Sequence, residues 1–576
     1  MLEEKIKEEI KKLTLKNAMD YGKAIPGPVI SGIIAKFPNA RKELKEISAH
    51  VNKEVGRVNK LTGSEITQEG LPYSEEFKTR EAERAERTSK PNMELHGAEI
   101  HKFVTRFPPE PNGYMQIGHA KVAFLEREFA DMLDGKINLY FDDTNPESER
   151  QEFVDAFKSD LKWLGISFDQ EYYASDNVLI MYEKASALIA AGGAYVCDCN
   201  AEQISEGRNQ SKPCRHRSSS IKENQDAWHS MLSKRPDSEA ASAILRLKGD
   251  MESQNTAMRD PTLFRIKLQE HYRQGSKYYV WPTYDFNTPI MDSIKGITDA
   301  IRSKEYELRD EVYYTVLEKL GLRKPRLHSV ARLEIENNVT SKRKINELIR
   351  EGLILGYEDP RLVTIAALRH RGISPQAIKS FVLRFGMSKT NSKVSMEMLL
   401  AENRKLAEPK AARLFFVENP KKLTVKGIPE TEQKIKIRVN PNEESGYREY
   451  RLNDTFFINT YDAIKLKTGD RVRLKDAFEI KAEGITKDGI TGTYQQTETK
   501  GVQKLQWVNK GSFVKAKISI VGNLLKDGEF SKESLETKEG YLESYANALE
   551  EGTVVQFEGI GLFVLAKKDW MGFISL

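Results

Sequence analysis

The chain has 576 residues, of which 39% are hydrophobic and 30% are charged, and this composition argues against a disordered or fibrous protein. No run of about 18 apolar residues occurs, which argues against a membrane span. The charged start MLEEKIKEEIKKL lacks the apolar core of a signal peptide, so we expect a cytoplasmic protein. At ~150 residues per domain the length predicts about four domains, and the net charge of +5 permits a polyanionic partner without requiring one.

The first 97 residues are predicted to be a helical N-terminal extension that ends in a linker. Residues 1–65 carry apolar residues three and four apart, with an expected break at Gly27-Pro28. Residues 66–97 are polar and charged, which favours a partly helical linker.

From residue 98 to 330, short strands alternate with helices. A β-prone segment at 102–106, INLYFDD at 137–143 and EYYAS at 171–175 are each followed by a stretch with helical spacing. This alternation predicts a Rossmann-like α/β domain with a parallel sheet. Residues 197–275 interrupt the rhythm and are predicted to be an inserted domain.

The last two regions differ from each other in class. Residues 331–410 are predicted to be a loop followed by a helical domain. Residues 411–576 contain alternating segments such as DRVRLKDAFEIKAEGI, separated by Gly, Asp and Asn turns. This pattern predicts one or two all-β barrels.

The stretch RFPPEPNGYMQIGH at 106–119 lies between the first strand and a helix start, where ligands bind in open α/β sheets. Free N–H groups at the helix start favour a phosphate. Gly118 leaves room for a ligand, and Gln116 and His119 can donate hydrogen bonds. A proline-rich loop with a surface histidine is the alternative interpretation of these residues alone.

A second candidate is VTSKRK at 339–344, where three cations follow two hydroxyl residues. Such a cluster could hold a triphosphate. Taken alone, it fits a solvated basic turn better.

All three cysteines of the chain fall within 18 residues. Cys197, Cys199, Cys214 and His216 form two short-spaced pairs separated by a loop, the arrangement of a tetrahedral zinc site. Four protein ligands would leave no open position, so the zinc would be structural. The alternative is three reduced cysteines beside an unrelated histidine.

Together, RFPPEPNGYMQIGHAK and VTSKRK resemble the HIGH and KMSKS signatures of class I aminoacyl-tRNA synthetases. The glutamyl and glutaminyl subgroup is similar in further segments, which are FDDTNPE at 141–147, MRDPTLFRIK at 258–267, WPTYDF at 281–286 and DSIKGITDAIRSKEY at 292–306. The resemblance runs in order from about residue 98 to the C-terminus. The predicted barrels resemble those of archaeal and eukaryotic glutamyl enzymes and of glutaminyl enzymes.

The resemblance implies ATP-dependent ligation of glutamate to the 3′ end of tRNA(Glu) through glutamyl-adenylate, with Mg²⁺ accompanying ATP. It implies that the insertion contacts the acceptor stem of the tRNA. Some glutamyl enzymes carry a similar cysteine cluster in this insertion. The resemblance assigns residues to four roles: catalysis to Gln116, His119, Ser341 and Lys342; ATP binding to Glu110, Gly118, His119, Arg332 and Lys342; glutamate binding to Arg106, Asp142, Tyr284 and Arg302; and anticodon contact to Arg413.

Two residues depart from the subgroup pattern. Gln116 stands where the first histidine of HIGH is usual, so a role that needs a charged imidazole is lost, although an amide can still donate a hydrogen bond. Thr340 stands where methionine is usual.

Two other functions compete with the glutamyl interpretation. One is a glutaminyl-tRNA synthetase and the other is a non-catalytic, synthetase-like RNA-binding protein. The sequence also leaves open whether tRNA(Gln) is charged with glutamate, and whether residues 1–97 bind tRNA or a protein. We expect a monomer.

Overall fold

A computed structural model describes residues 3–21, 23–37, 40, 43–74, 92–233, 243–441, 446–496, 499–568 and 572–576. The chain divides into two compact units, Met1–Pro91 and Asn92–Leu576. Within the described ranges, no helix has both the length and the apolar character needed to cross a bilayer.

The first unit is helical, as predicted. Its helices are α1 (Glu4–Tyr21), α2 (Pro26–Lys36), α3 (Leu44–Val58) and α4 (Gly63–Gly70). Gly27-Pro28 does not break a helix but lies in the first turn of α2, which begins at Pro26. Proline is tolerated there because its missing N–H would have no partner in that turn. Of the predicted linker, residues 75–91 lie outside the described residues.

The second unit opens with the predicted strand and helix alternation. The elements are β1 (Val104–Phe107), α5 (Ile117–Met132), β2 (Lys136–Phe141), α6 (Gln151–Trp163), β3 (Gln170–Tyr173) and α7 (Val178–Ala190). The three strands are parallel in the order β1-β2-β3. Helices α5 and α6 bury apolar residues against the sheet, among them Phe124 and Phe157.

The insertion is built on an antiparallel four-stranded sheet. Its elements are β4 (Ala194–Cys197), α8 (Ala201–Asn209), α9 (Ile221–Leu232), β5 (Ile244–Leu247), β6 (Thr262–Ile266) and β7 (Val280–Pro282). Trp228 of α9 and Phe264 of β6 are buried on this sheet. The sheet includes β4 and β7, which extend slightly beyond 197–275, because these strands carry the chain out of the α/β core and back.

The α/β core resumes with α10 (Tyr284–Ile294), β8 (Asp299–Ser303), α11 (Asp310–Lys319) and β9 (Arg326–Val330). Strands β8 and β9 are parallel. The backbone N–H of Thr298 donates to the carbonyl of Val104 at 2.8 Å, which brings β8 beside β1. The resulting order, β3-β2-β1-β8-β9, is that of a Rossmann-like sheet, as predicted.

A helical region follows, also as predicted. It contains β10 (Leu333–Ile335), α12 (Lys342–Arg350), α13 (Ile365–His370), α14 (Pro375–Leu383), β11 (Ser392–Val394) and α15 (Met396–Ala407). The short parallel pair of β10 and β11 was not expected. Helix α12 begins at Lys342, within the VTSKRK stretch.

The C-terminal region is β-rich, as predicted, and forms two seven-stranded, nearly barrel-like sheets. The elements are β12 (Ala412–Leu414), β13 (Phe416–Glu418), β14 (Pro420–Lys426), β15 (Lys434–Arg438), β16 (Tyr447–Arg451), β17 (Thr455–Asn459), α16 (Thr460–Ala463), β18 (Arg471–Leu474), β19 (Glu479–Ile485), β20 (Ile490–Gln495), β21 (Gln503–Leu505), β22 (Trp507–Asn509), β23 (Phe513–Val521), β24 (Leu525–Lys526), β25 (Glu529–Phe530), β26 (Leu535–Glu543), β27 (Val554–Phe557), β28 (Gly561–Lys567) and β29 (Gly572–Ser575). One sheet has the order β21-β18-β19-β20-β14-β17-β22 and the other β12-β27-β28-β29-β23-β26-β13. Each has its own apolar core.

The small hairpin of β24 and β25 packs on the helical region. Leu524 is fully buried in one cluster with Ile345 and Leu348 of α12. The backbone N–H of Leu525 donates to the carbonyl of Asn337 at 3.0 Å. The β-rich and helical regions therefore share an apolar core.

Candidate active site

A cavity of about 750 Å³ opens beside the carboxyl ends of β1, β2 and β8. It brings together every residue that the sequence assigned to catalysis, ATP or glutamate, although these residues span more than 200 positions. They are Arg106, Glu110, Gln116, Gly118, His119, Asp142, Tyr284, Arg302, Arg332, Ser341 and Lys342.

The start of α5 forms one wall of this cavity. Gln116 occupies the N-cap position, and its backbone N–H donates to Nδ1 of His119 at 3.1 Å. The neutral imidazole of His119 therefore carries its proton on Nε2, an atom for which the described part of the chain offers no hydrogen-bond acceptor. Nearby protein atoms desolvate this ring and Arg332 adds positive charge, which lowers the pKa of His119 to about 4.

Gly118 is not required by crowding within the protein. A Cβ atom at this position would lie 3.7 Å from the carbonyl oxygen of Leu333, an ordinary contact. The missing side chain therefore leaves space that a ligand in the cavity can use.

The VTSKRK stretch forms the opposite rim and closes on the first loop. Lys342 donates to the carbonyl of Asn112, and the side-chain amide of Gln116 donates to the carbonyl of Thr340 at 2.7 Å. Partial burial lowers the pKa of Lys342. Ser341 is exposed at the N-cap of α12 and makes no capping bond there. The ammonium of Lys342 thus lies where a phosphate bound at the start of α5 could reach it.

Arg332 lies at the same rim. Its guanidinium pairs with the carboxylate of Glu305 at 3.2 Å, and both side chains are about half exposed. An exposed ion pair of this kind contributes little to stability, so Arg332 can leave Glu305 to contact a ligand.

A further part of the wall is rich in carboxylates. Asp142 accepts a hydrogen bond from the amide of Asn287 at 2.6 Å. Burial, together with the negative charges of Glu110 and Glu149, raises the pKa of Asp142 to about 8. Burial likewise raises the pKa of Glu149 to about 9, and within the described residues its Oε2 atom is buried without a hydrogen-bond partner. This wall therefore favours a cationic group.

Arg106 lies at the base of the cavity and is 1% exposed. Its Nε donates to Asp292 at 2.8 Å, a second nitrogen reaches the same carboxylate at 3.2 Å, and the third donates to the carbonyl of Ile301 at 3.0 Å. The buried Glu126 lies 4.0 Å away. Among the described residues, this network leaves two of the five N–H groups of Arg106 without a hydrogen-bond acceptor.

Arg302 presents a second cation to the cavity. One terminal nitrogen donates to the hydroxyl of Tyr284 at 3.0 Å and the other to the carboxylate of Asp310. Its Nε is buried and has no partner among the residues described. The ring of Tyr284 lies 4.4 Å from that of Tyr306, which also lines the cavity. A substrate carboxylate could satisfy the open N–H groups.

The cysteine cluster lies apart from these residues, in the insertion. One ligand atom from each of the four predicted residues lies within 4.8 Å of all the others. The sulfurs of Cys197 and Cys214 are 3.8 Å apart, and the sulfur of Cys199 is 3.5 Å from Nδ1 of His216. Tetrahedral zinc, with Zn–S near 2.3 Å and Zn–N near 2.0 Å, would give separations of about 3.8 and 3.5 Å. The other ring nitrogen of His216 lies 2.9 Å from Asp198, an outer partner of the kind zinc-bound histidines use.

Arg413 lies on β12, in the β-rich region. It is half-buried, its backbone N–H donates to the carbonyl of Val439, and its side-chain Nε has no partner among the described residues.

The sequence did not predict several polar groups that line the cavity or contact the residues lining it. Asp292 begins the quoted stretch DSIKG and Glu149 follows FDDTNPE by two positions, so proximity to a motif was the only available signal. Arg265 also lines the cavity and donates to the backbone at Pro282 and Thr144. Asp310 gave no signal in the sequence.

A Rossmann-like core with both signature segments on one cavity defines the catalytic domain of a class I synthetase. Two family models match the chain, namely the catalytic domain of the class I tRNA synthetases (E and Q) over residues 102–408 and the anticodon-binding domain of the same group over residues 411–499. The chain belongs to the class I tRNA synthetases of the E and Q group.

Within this group, the chain is similar to curated proteins that are named glutamate–tRNA ligase. It is 40% identical to the one from Nitrosopumilus maritimus over 97% of both chains. It is 36% identical to the one from Cenarchaeum symbiosum over 96% of both chains, and 35% identical to the one from Korarchaeum cryptofilum over 99% of both.

Proposed function

We propose that this chain is a glutamate–tRNA ligase, which joins L-glutamate to the 3′ end of tRNA(Glu) at the expense of ATP. The observation that carries the proposal is the single cavity in which the two signature segments meet both Arg302 and Asp142. The named relatives support it and do not favour the glutaminyl alternative.

The reaction has two steps. A carboxylate oxygen of glutamate attacks the α-phosphorus of ATP, and the bond to pyrophosphate breaks, which gives glutamyl-adenylate. The 2′-hydroxyl of the terminal tRNA adenosine then attacks the acyl carbon and AMP leaves. Neither step needs a nucleophile from the protein, so catalysis is by positioning and charge stabilisation.

ATP, with its Mg²⁺, occupies the side of the cavity formed by α5 and α12. His119 donates from Nε2 to a phosphate oxygen, and Gln116 donates from its amide. Gly118 makes room for the nucleotide, which Glu110 contacts. Lys342, with Ser341 beside it, stabilises the charge that develops on pyrophosphate as it leaves. Arg332 gives up its ion pair with Glu305 and contacts ATP.

Glutamate lies between the carboxylate wall and Arg302. The α-ammonium pairs with Asp142, and this pairing offsets the cost of burying that carboxylate. The side-chain carboxylate pairs with Arg302, beside the hydroxyl of Tyr284. Arg106 contributes its two remaining N–H groups from the base of the cavity.

The tRNA contacts three regions under this proposal. The 197–275 insertion within 98–330 receives the acceptor stem, the 331–410 region contacts the stem, and the 411–576 region receives the anticodon, with Arg413 directed at a base. An arginine can contact a base edge with two hydrogen bonds. Residues 1–97 bind tRNA or a protein partner, and the enzyme acts as a cytoplasmic monomer. Charging of tRNA(Gln) with glutamate stays an open alternative, which charging assays on the two purified tRNAs would decide.

Cys197, Cys199, Cys214 and His216 hold a structural zinc ion under the same proposal. The separations of their ligand atoms fit that ion. Zinc would fix the fold of the insertion and would take no part in the reaction.

Amino-acid choice tests the proposal. In ATP–pyrophosphate exchange with tRNA(Glu) present, the wild type should use glutamate well and glutamine poorly. Arg302→Cys should lose glutamate efficiency about 10- to 150-fold, because a buried charge-assisted pair is removed, and should gain relative use of glutamine. A wild type that prefers glutamine would overturn the assignment.

A further inference from the structure

Three neighbours fix the orientation of the Arg302 guanidinium. The hydroxyl of Tyr284 accepts from one terminal nitrogen at 3.0 Å, and the carboxylate of Asp310 accepts from the other. The ring of Tyr313 lies 5.5 Å from the guanidinium carbon. The Arg302 side chain is only 4% exposed, so these contacts replace water almost completely. Asp310 is the one charged member of this set.

Asp310 could either orient Arg302 or compete with a substrate carboxylate for its N–H groups, and the geometry favours the first role. A guanidinium has five N–H groups. Among the described residues, Tyr284 and Asp310 use two of those of Arg302, and its Nε is buried without a partner. Three N–H groups therefore remain for a substrate, and a carboxylate can bind without displacing Asp310.

Asp310 is itself held in place from two directions. It is the first residue of α11, directly after a short 3₁₀ helix at Lys304–Arg309. The side-chain amide of Asn255, in the insertion, donates to the carbonyl of Leu308 at 2.7 Å and to the carboxylate of Glu311 at 3.0 Å. Two neighbours of Asp310 in the chain are therefore bonded to the insertion, which restricts where its own carboxylate can lie.

We propose that Asp310 is a positioning residue for amino-acid selection. It acts through Arg302 and holds the guanidinium so that its open N–H groups face the side-chain carboxylate of the substrate. The idea depends on the proposed function, because it assumes that Arg302 receives glutamate. A preorganised cation binds better than a mobile one, since less freedom is lost on binding.

The test compares glutamate with glutamine in exchange assays with tRNA(Glu) present. Asp310→Ala should lower kcat/KM for glutamate about 10-fold and leave that for glutamine unchanged, because only the carboxylate depends on the oriented cation. Asp310→Asn keeps an acceptor and should lose less. Glu318→Gln is the matched control, since it removes an exposed acid of the same helix without touching Arg302 or Asn255.

Arg302→Ala distinguishes failure of the proposed pocket from failure of the positioning role of Asp310. The double variant Arg302→Ala with Asp310→Ala should be no worse than Arg302→Ala alone. If Arg302→Ala keeps full glutamate preference, the proposed pocket is wrong. Suppose that Arg302→Ala loses the glutamate preference. If Asp310→Ala then keeps it, or lowers kcat/KM for glutamate and glutamine by the same factor, only the positioning role is wrong. If Asp310→Ala does not fold, Asp310→Ser is tested in its place, and the ratio of kcat/KM for glutamate to that for glutamine decides.

Discussion

Burial of the Asp142 carboxyl group destabilises the folded chain, although the same group can bind a cationic ligand. Its pKa is raised to about 8, whereas an unfolded aspartate titrates near 3.9. The folded protein therefore binds more protons than the unfolded chain between these values. It follows that the contribution of Asp142 to the free energy of unfolding becomes more unfavourable as pH rises through this window.

Asp142→Asn should therefore stabilise the ligand-free protein while it impairs glutamate use. The gain in unfolding free energy should grow from about pH 5 to about pH 7.5, by at most ~1.4 kcal/mol per pH unit. Denaturant unfolding at both pH values measures it. Glu147→Gln, at an exposed carboxylate nearby, is the control and should show no such growth. Equal pH dependence in Asp142→Asn and the wild type would contradict the account.

Lys342→Ala should lower kcat of adenylation about 10²- to 10³-fold and change the KM for ATP little. The reason is that negative charge develops on pyrophosphate mainly in the transition state. Arg350→Ala, at an exposed cation near the other end of the same helix, is the control and should be nearly normal. A variant with normal turnover and only a raised ATP KM would show that Lys342 serves binding alone.

The sequence predicted a set of site residues from their motifs. Those assigned to catalysis, ATP and glutamate line one cavity, and their roles stay predictions. The sequence could not predict the partners of those residues. Asp292 and Glu126 surround Arg106 from distant helices, and Asp310 reaches Arg302 across a turn. Such pairs depend on how helices pack, and no local spacing records that.

At the level of elements, prediction worked where periodicity was strong. The strands β1 and β2, the helices α5 and α6 and the two β-rich sheets agree with the sequence analysis. The prediction of a helix break at Gly27-Pro28 was wrong, since proline can begin a helix as well as end one. The short β11 was not predicted, because three residues in a pair are stabilised by their partner strand and not by their own pattern.

The insertion offers a prediction at this scale. The purified chain should carry one zinc ion, and Cys197→Ser combined with Cys214→Ser should lose it. The KM for tRNA should rise more than the KM for glutamate, because the cluster lies outside the cavity. Metal analysis and kinetics measure both. His229→Ala, at an exposed histidine of the same insertion, should keep the metal. Fresh wild-type protein without stoichiometric zinc would end the hypothesis.

For the whole second unit, the shared cluster of Leu524 with α12 predicts a long-range effect. Leu524→Ala should destabilise the protein by about 2–5 kcal/mol, because the residue is fully buried. The loss should appear as faster hydrogen exchange in α12, far away in sequence. Leu355→Ala, where the side chain is 87% exposed, should change little. Exchange that is faster only within the β-rich region would contradict the prediction.

The same hairpin limits how freely this protein can be recombined with its relatives. A chimera joined between the helical and β-rich regions would separate Leu524 and Leu525 from the surface that they cover. A foreign hairpin would have to match that surface, or leave α12 and its Lys342 poorly supported. Residues 522–534 should therefore be inherited with the catalytic half, and grafting only the remaining strands would preserve the enzyme better than exchanging the whole C-terminal region.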